Sequence, residues 1–226
     1  MHSAKFGLLF ATALTAVAPS LAFSAEAIAA TDLNIRSGPG PQFSVVGTIP
    51  GGEQTAVDGC LAELSWCKVA YNGVEGWSYS DYLAVGVEEQ AVVLTTRPAT
   101  VDIKTVTYEN TEATQADQNT GVAVGATIGA LAAVAIGGPI GGIIAGGILG
   151  GAAGSAAVEP TTETVTYIES NPVETVYLDG EVVVGAGVPT MVTTYELPQP
   201  DLRYVSVNGQ TVLVDAETGV IVSVLR

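Results

Sequence analysis

The chain has 226 residues, of which 23 are acidic and seven are basic, and its formal net charge at pH 7 is −16. So acidic a chain is poorly suited to bind nucleic acid or anionic lipid headgroups, because both attract basic surfaces. Its one histidine, His2, lies at the extreme N-terminus, so the rest of the chain has no Ser-His-Asp or Cys-His catalytic arrangement.

The N-terminus has the pattern of a secretory signal peptide. Lys5 is the only charged residue among the first 25, and an apolar run follows at 6–17. Ala25-Glu26-Ala27 fits a small-x-small cleavage site, and a near alternative lies two residues downstream, after position 29. The apolar run is shorter than the ~20 residues that span a bilayer, which favours cleavage over a permanent anchor. We therefore expect residues 1–27 to be removed and the protein to be exported to the periplasm or cell envelope.

A short strand that runs into a tight turn is predicted at 32–40. Leu33 and Ile35 alternate with Asn34 and Arg36, and this period of two is typical of a half-buried strand. The sequence Ser-Gly-Pro-Gly then supplies turn chemistry, because proline fixes φ and glycine permits positive φ.

Further short strands follow this unit and predict a small antiparallel barrel. Asn72-Gly73 is the strongest hairpin signal among them, and Pro50-Gly51-Gly52 indicates another turn. The candidate strands lie at 32–36, 44–49, 54–60, 66–71 and 75–79.

Residues 30–84 resemble the bacterial SH3 (SH3b) family. The stretch at 32–40 is similar to its opening strand, written lNVRsGPs, and the stretch at 76–83 is similar to its closing pattern, GWvxxxYL. The resemblance implies a barrel that binds peptides, including cell-wall peptides, between loops and exposed aromatic side chains. The ligand-binding candidates are Arg36 and the aromatic residues Phe43, Trp66, Tyr71, Trp77, Tyr79 and Tyr82.

Each of these candidates has a structural alternative. Trp77 matches a position that is mainly structural in the family, and Trp66 should point to the opposite side of its strand from Cys67. Arg36 can hold a carboxylate through its planar guanidinium, but an arginine beside a glycine-rich turn often satisfies loop carbonyls instead.

Cys60 and Cys67 are the only two cysteines. In an exported protein an even number favours a disulfide, and here it would join adjacent strands and contribute about 2–3 kcal/mol. Free thiols or a metal site are the alternatives, but two cysteines without histidine cannot complete a zinc site. No metal, phosphate-binding loop or other cofactor is indicated, and we expect no enzyme activity.

The segment 118–158 contains no charged residue and is rich in glycine and alanine. Glycines recur every four positions, which on a helix forms one stripe that allows close backbone packing. Pro139 should break the helix into arms at 121–137 and 140–157. The segment resembles the glycine-zipper hairpins of bacterial envelope proteins, which implies membrane association or self-association. A soluble hairpin or a flexible linker is the alternative, because glycine is a poor helix former.

The C-terminal region returns to β patterns. Asp179-Gly180 and Asn208-Gly209 each predict a hairpin, and the sequence Thr-Val-Thr-Tyr occurs at both 105–108 and 164–167. We expect these two copies to be strands that pair with each other across the glycine-rich segment. Residues 196–226 resemble DUF1236, an uncharacterised family of exported proteins, and the resemblance implies a β meander without assigned chemistry.

Together these patterns predict a mainly β protein of the cell envelope without enzyme activity. Its SH3b module would bind cell-wall peptide or peptidoglycan, and its glycine-rich hairpin would tether or oligomerise it. The alternatives are a structural or assembly protein of the envelope and an accessory that targets a separate cell-wall hydrolase. The predicted parts are a signal peptide at 1–27, a barrel at 30–84, a strand and linker region at 85–117, an apolar hairpin at 118–158 and a β region at 159–226.

Overall fold

The computed structural model describes residues 25–63, 65–87, 90–108 and 158–226. The predicted glycine-rich hairpin lies outside the described residues except for Val158 at its end, and the predicted signal peptide lies outside them up to residue 24.

The described residues before 109 form an antiparallel sheet of eight strands, which we call the N-terminal sheet. All five strands predicted in this region are present with bounds within one residue of the prediction. The order across the sheet is β3-β2-β6-β5-β4-β1-β7-β8. The strands are β1 Ala25–Ala29, β2 Leu33–Arg36, β3 Val45–Ile49, β4 Gln54–Cys60, β5 Trp66–Tyr71, β6 Val74–Tyr79, β7 Leu83–Val87 and β8 Gln90–Val93.

The predicted turn between β5 and β6 is confirmed. Asn72 and Gly73 have φ values of 48° and 83°, as the two central residues of the favoured hairpin turn require. β5 and β6 are paired along their whole length, from Trp66 opposite Tyr79 to Tyr71 opposite Val74.

Three strands of this sheet were not predicted. β1 carries the alanine-rich sequence that fits a cleavage site, yet it pairs with both β4 and β7. β7 and β8 form a hairpin at the start of the region expected to be strand and linker. Alanine has little intrinsic preference for strands, so the position of β1 between two neighbours decides its conformation.

The residues after 157 form a mixed sheet of five strands, which we call the C-terminal sheet. Its centre is the hairpin of β11 and β12, and the turn between them is the predicted one, with Asn208 at φ 52° and Gly209 at φ 78°. β9 pairs with β11 in parallel. The strands are β9 Thr175–Val176, β10 Tyr195–Glu196, β11 Leu202–Val207, β12 Gln210–Asp215 and β13 Ile221–Val224.

The strand predicted at 164–167 is wrong, because these residues lie in a helix, α1 (Thr162–Ser170). Thr161 caps the helix by accepting a hydrogen bond from the backbone of Thr164, and a proline follows two residues after its end. Thr164 and Ile168, four residues apart, form its buried side. The predicted pairing of 164–167 with 105–108 is therefore also wrong. Within the described ranges, no helix is long and apolar enough to cross a membrane.

The hairpin predicted around Asp179-Gly180 is also wrong. Gly180 does have a positive φ of 96°, but the residues after it are not a strand. Glu181, Val182 and Val183 are all buried, whereas a surface hairpin would expose alternate side chains. The chain here fills the space between the two sheets.

The two sheets share one hydrophobic core. Leu33 and Ile35 of β2 belong to the same buried cluster as Val205 and Val207 of β11. The predicted alternation of β2 is correct on this side, but Asn34 and Arg36 on its other side are buried as well. A strand expected to be half-buried is thus covered on both sides.

We predict that signal peptidase cleaves this chain after Ala22 and not after Ala27. Cleavage after Ala27 would remove three of the five residues of β1, including the buried Ala27 itself. The sequence Ser-Leu-Ala at 20–22 also fits the small-x-small rule and leaves β1 intact. N-terminal sequencing of the exported protein should give a chain that begins at Phe23.

The Ala22→Asp variant should block this processing, while the matched Ala25→Asp variant should not. An exported chain that begins at Ile28 would contradict the prediction.

Candidate functional site

Four of the predicted ligand-binding residues form one surface, which we call the aromatic face: Trp66, Trp77 and Tyr79 on β5 and β6, and Phe43 in the loop between β2 and β3. Trp66 and Tyr79 are directly opposite each other on β5 and β6, and their rings meet edge to face at 5.4 Å. Trp77 lies two residues before Tyr79 and therefore on the same side of β6. Trp66 packs in this cluster whereas Cys67 packs in the shared core, as predicted.

An extended stretch of the same chain, residues 103–108, lies over the aromatic face, and we call it the covering segment. The backbone N–H of Cys60 donates to the carbonyl of Lys104, and the N–H of Val106 donates to the carbonyl of Cys60, both at 2.9 Å. Thr105 therefore pairs with Cys60 in parallel fashion beyond the edge of the regular ladder. The covering segment has the backbone contacts of an added strand.

The side chains at 105–108 alternate between the sheet and solvent. Thr105 and Thr107 are exposed, while Val106 and Tyr108 are half-buried and pack on the aromatic cluster. The Tyr108 ring meets the rings of Phe43 and Trp77 edge to face, with centroids 5.6 and 5.7 Å away. With this cover in place each tryptophan is only 6% exposed.

Gly59 makes the close approach of the covering segment possible. A Cβ atom at this position would lie 2.6 Å from Cγ1 of Val106 and 2.7 Å from the carbonyl oxygen of Lys104, which is closer than such atoms can pack. Gly59 also stands beside an irregularity in the pairing of β4 with β5, where glycine is common. Because Gly59 has no side chain, Val106 can lie directly against it.

Gly38 contributes to the predicted turn through its small size, because its φ is not positive. A Cβ atom there would lie 2.5 Å from the ring of Phe43. Gly38 is therefore required for space, because the ring that forms one end of the aromatic face rests on it.

Arg36 is completely buried and holds a carboxylate of its own chain. Its Nε and Nη2 donate to the two carboxylate oxygens of Glu181 at 2.5 and 2.6 Å. Its Nη1 donates to the carbonyls of Pro41, Phe43 and Asn208 at 2.7–3.1 Å. The carboxylate that Arg36 holds belongs to its own chain and not to a ligand, so the structural alternative, in which the arginine satisfies loop carbonyls, describes its position here.

Polar side chains surround this ion pair in the interior. The amide nitrogen of Asn34 donates to Glu181 at 3.1 Å and to Gln210 at 2.7 Å. The backbone N–H of Val182 donates to Glu181 at 2.8 Å. Oδ1 of Asn34 has no hydrogen-bond partner among the described residues. Apart from this oxygen, the charged pair is enclosed by donors and acceptors that suit its charges.

The turn at Asn208 completes the contact between the two sheets. Its side-chain oxygen accepts from the backbone N–H of Leu178 at 2.8 Å, and its side-chain nitrogen donates to the carbonyl of Gly180 at 3.2 Å. These bonds hold the loop that carries Glu181. The turn of the C-terminal hairpin and the opening motif of the N-terminal sheet thus meet at one place.

Tyr71 does not join the aromatic face. It lies at the end of β5, beside the Asn72-Gly73 turn, and packs partly buried against the shared core. Tyr82 is buried in the same core. These two candidates are accordingly placed away from the covering segment.

Tyr79 and Tyr82 are neutral at physiological pH, because the pKa of each hydroxyl is raised. Burial raises the pKa of Tyr79 to about 12, with smaller contributions from the carboxylates of Asp81 and Asp179. Burial raises the pKa of Tyr82 as well. A general acid or base works best with a pKa near the operating pH, so these hydroxyls are suited to hydrogen bonding. The face offers aromatic contacts and backbone hydrogen bonds.

The disulfide between Cys60 and Cys67 is confirmed. The two residues are directly opposite each other on β4 and β5, and Cys60 supplies both backbone bonds to the covering segment. The bridge thus fixes the sheet where that segment is attached. In the described ranges, no group of three or more His, Cys, Asp and Glu residues is arranged to hold a metal ion.

These features define a class of protein: an antiparallel β module with an aromatic face, joined through a buried ion pair to a second β unit. Residues 31–84 match the family described as "Bacterial SH3 domain", and residues 167–226 match "Domain of unknown function (DUF1236)". The chain therefore contains a bacterial SH3 domain, a cell-wall-binding type of domain, followed by a DUF1236 domain. The second match begins at 167 instead of 196, so it includes Glu181.

One curated relative is the Bacillus subtilis (strain 168) protein named "Putative N-acetylmuramoyl-L-alanine amidase YrvJ". It is 34% identical to this chain over 70 residues. The match covers 30% of this chain and 13% of that protein, so the similarity concerns a small part of YrvJ. No solved structure matches this chain significantly.

Sequence reasoning missed the partners of the predicted residues. Glu181 looked like part of a surface hairpin, and nothing local indicates that its carboxylate is buried. Gly59 and Tyr108 were not singled out either. The strand character of 105–108 was the one available signal for the covering segment.

We predict that the Arg36–Glu181 pair couples the two sheets energetically. The Glu181→Gln variant should lower the free energy of unfolding by about 3–5 kcal/mol, because it leaves a buried guanidinium without its counter-charge. Arg36→Met combined with Glu181→Gln should cost about 0.5–3 kcal/mol less than the sum of the single variants. Urea denaturation of the four proteins measures both quantities.

The matched control is Glu196→Gln, which removes the exposed partner of Arg203 and should cost no more than about 1 kcal/mol. Equal losses for Glu181→Gln and Glu196→Gln would contradict the assignment.

Proposed function

We propose that this protein is an exported, non-enzymatic component of the cell envelope, and that its SH3 domain binds peptide or peptidoglycan through the aromatic face. The covering segment is the observation that supports this most directly. It shows an extended peptide lying on the face, bound by two backbone hydrogen bonds and by ring contacts of Tyr108. Surfaces that accept a strand in this manner are a recurrent means of peptide recognition.

The disulfide and the family of the SH3 domain both support a location outside the cytoplasm. A cystine of this kind persists in the oxidising environment outside the cytoplasm, and Cys60 and Cys67 form one. The name of the YrvJ relative refers to a cell-wall amidase, which favours the cell wall as the source of the bound peptide. It equally suits a role as an accessory that brings a separate hydrolase to the wall.

The absence of enzyme activity is part of the proposal. The tyrosines Tyr79 and Tyr82 have raised pKa values, and Arg36 and Glu181 are occupied with each other inside the protein. Aromatic contacts and backbone hydrogen bonds provide binding and orientation, and they need no group that titrates near neutral pH.

We expect the full mature chain to be retained on purified cell-wall sacculi. The Phe43→Ala variant should reduce the affinity about tenfold, equivalent to about 1.4 kcal/mol, because the aromatic face loses a ring that is half-buried at its end. Co-sedimentation at several protein concentrations measures the affinity. The full chain is needed because the sheet includes β1, β7 and β8, which lie at or beyond the ends of 30–84.

The matched control is Tyr195→Ala, which removes a 39% exposed tyrosine from the C-terminal sheet and should leave retention unchanged. A zymogram with the same preparation should show no clearing of peptidoglycan. Retention no greater than that of serum albumin would contradict the binding role, and clearing would contradict the non-enzymatic one.

A second candidate function is assembly of the envelope, and the glycine series in 118–158 favours it. Glycines at a spacing of four permit close helix packing, so this segment would tether the protein to a membrane or join several copies. Light scattering should then give an oligomeric mass for the mature chain and a monomeric mass after deletion of 118–158. Equal monomeric masses would argue against assembly, and extraction of both forms from membranes by carbonate would argue against tethering.

A further inference from the structure

We propose that the aromatic face is a groove for an extended peptide with a β-branched residue two positions before a tyrosine, and that residues 103–108 are its resident, displaceable occupant. The inference rests on the proposed function, because both use the aromatic face. It adds the sequence class of the ligand and a step that must precede binding, which is the displacement of residues 103–108 from the face.

The two side-chain positions of the groove are defined by their surroundings. Val106 lies where Gly59 leaves room for it, so a β-branched side chain fits and the backbone can still reach Cys60. Tyr108 lies between the rings of Phe43 and Trp77 and meets both edge to face, a geometry that favours an aromatic ring. A ligand needs these two side chains on the same side of an extended backbone, and hence two positions apart.

Ile103 is buried in the shared core, outside the aromatic face, and the remaining side chains of the occupant make few demands on the groove. Lys104, Thr105 and Thr107 are exposed. Specificity therefore comes from the alternate residues, and the backbone bonds to Cys60 serve any sequence. This division between backbone affinity and side-chain specificity is typical of strand addition.

The extended form of 105–108 is imposed by the groove and is not fixed by the local sequence. The same four residues, Thr-Val-Thr-Tyr, recur at 164–167 in the helix α1. One tetrapeptide thus adopts two conformations in one chain, and tertiary contacts decide between them. Because the groove selects the strand conformation at 105–108, it should select the same conformation in a separate peptide.

The covering segment can leave without disturbing the strands of the sheet. The loop before it is closed independently, since Arg97 donates to the carbonyls of Val101 and Leu94 at 3.1 and 3.0 Å and Leu94 is buried in the shared core. The covering segment can therefore leave without a change in the conformation of the residues before 101. The cost of departure is the loss of two backbone bonds to Cys60, of the contacts of Val106 and Tyr108, and of the packing of Ile103 in the shared core.

The test uses the full mature chain and the peptide acetyl-Ile-Lys-Thr-Val-Thr-Tyr-amide. Both tryptophans of the chain lie on the aromatic face, so tryptophan emission reports directly on the groove. In the double variant Val106→Ser, Tyr108→Ser the emission should shift to the red, and the peptide should reverse the shift. The peptide should bind this variant at least about tenfold more tightly than it binds the wild type.

Two controls match this experiment. The variant Thr105→Ser, Thr107→Ser alters only exposed side chains and should behave as the wild type. A peptide with serine in place of its valine and tyrosine should not bind. The Gly59→Ala variant should also shift the emission to the red, but the peptide should fail to reverse the shift, because the added methyl group obstructs any strand.

A double variant that is folded by circular dichroism but shows unchanged emission, or does not bind the peptide, would overturn the proposal. If the double variant is unfolded, the milder Tyr108→Leu variant replaces it, and failure of that folded protein to bind overturns the proposal equally. Peptide binding without retention on sacculi would contradict the cell-wall ligand and leave the groove intact. Retention on sacculi without peptide binding would contradict the groove and leave the cell-wall ligand intact.

Discussion

The buried ion pair of Arg36 with Glu181 is the constraint on which the rest of this architecture depends. Removing a guanidinium and a carboxylate from water costs several kcal/mol for each, and their attraction offsets this cost only when further hydrogen bonds satisfy the remaining groups. Here three backbone carbonyls surround the guanidinium, and Asn34 and Val182 donate to the carboxylate. A docking of the two sheets that kept both residues buried but separated them would leave each charge unpaired. The pair therefore favours this arrangement of the sheets.

This arrangement determines which surface remains for a ligand. An arginine such as Arg36 can hold a carboxylate through its planar guanidinium. Here Glu181 of the DUF1236 domain supplies that carboxylate from within the chain, and both residues are at most 1% exposed. Under the proposed function, binding therefore uses the aromatic face, where backbone hydrogen bonds and ring contacts take the place of charge.

Local patterns predicted those parts of the fold that local physics decides. The two Asn-Gly turns are correct because positive φ at two successive residues is a property of the turn itself. Alternation correctly assigned Leu33 and Ile35 to the core, and spacing on adjacent strands correctly joined Cys60 to Cys67. The errors share a single cause, which is contact between distant parts of the chain. Neither the burial of Arg36 nor the inward turn of Glu181 can be inferred from neighbours in sequence, because their partner lies 145 residues away. The same is true of the aromatic face, whose four residues were predicted while the segment that covers them was not.

The tetrapeptide Thr-Val-Thr-Tyr, which occurs at 105–108 and 164–167, connects this limit of sequence-based prediction with function. Residues whose conformation is set by distant contacts are also residues whose conformation can change when those contacts are contested. For a groove with a resident segment, the apparent affinity for an outside peptide is the intrinsic affinity multiplied by the fraction of molecules in which the groove is vacant. A vacant fraction of about 1% would weaken the apparent affinity about a hundredfold, or by about 2.7 kcal/mol. A weak apparent affinity of the isolated protein would therefore reflect two quantities: how strongly Val106 and Tyr108 occupy the groove, and how well the outside peptide fits it.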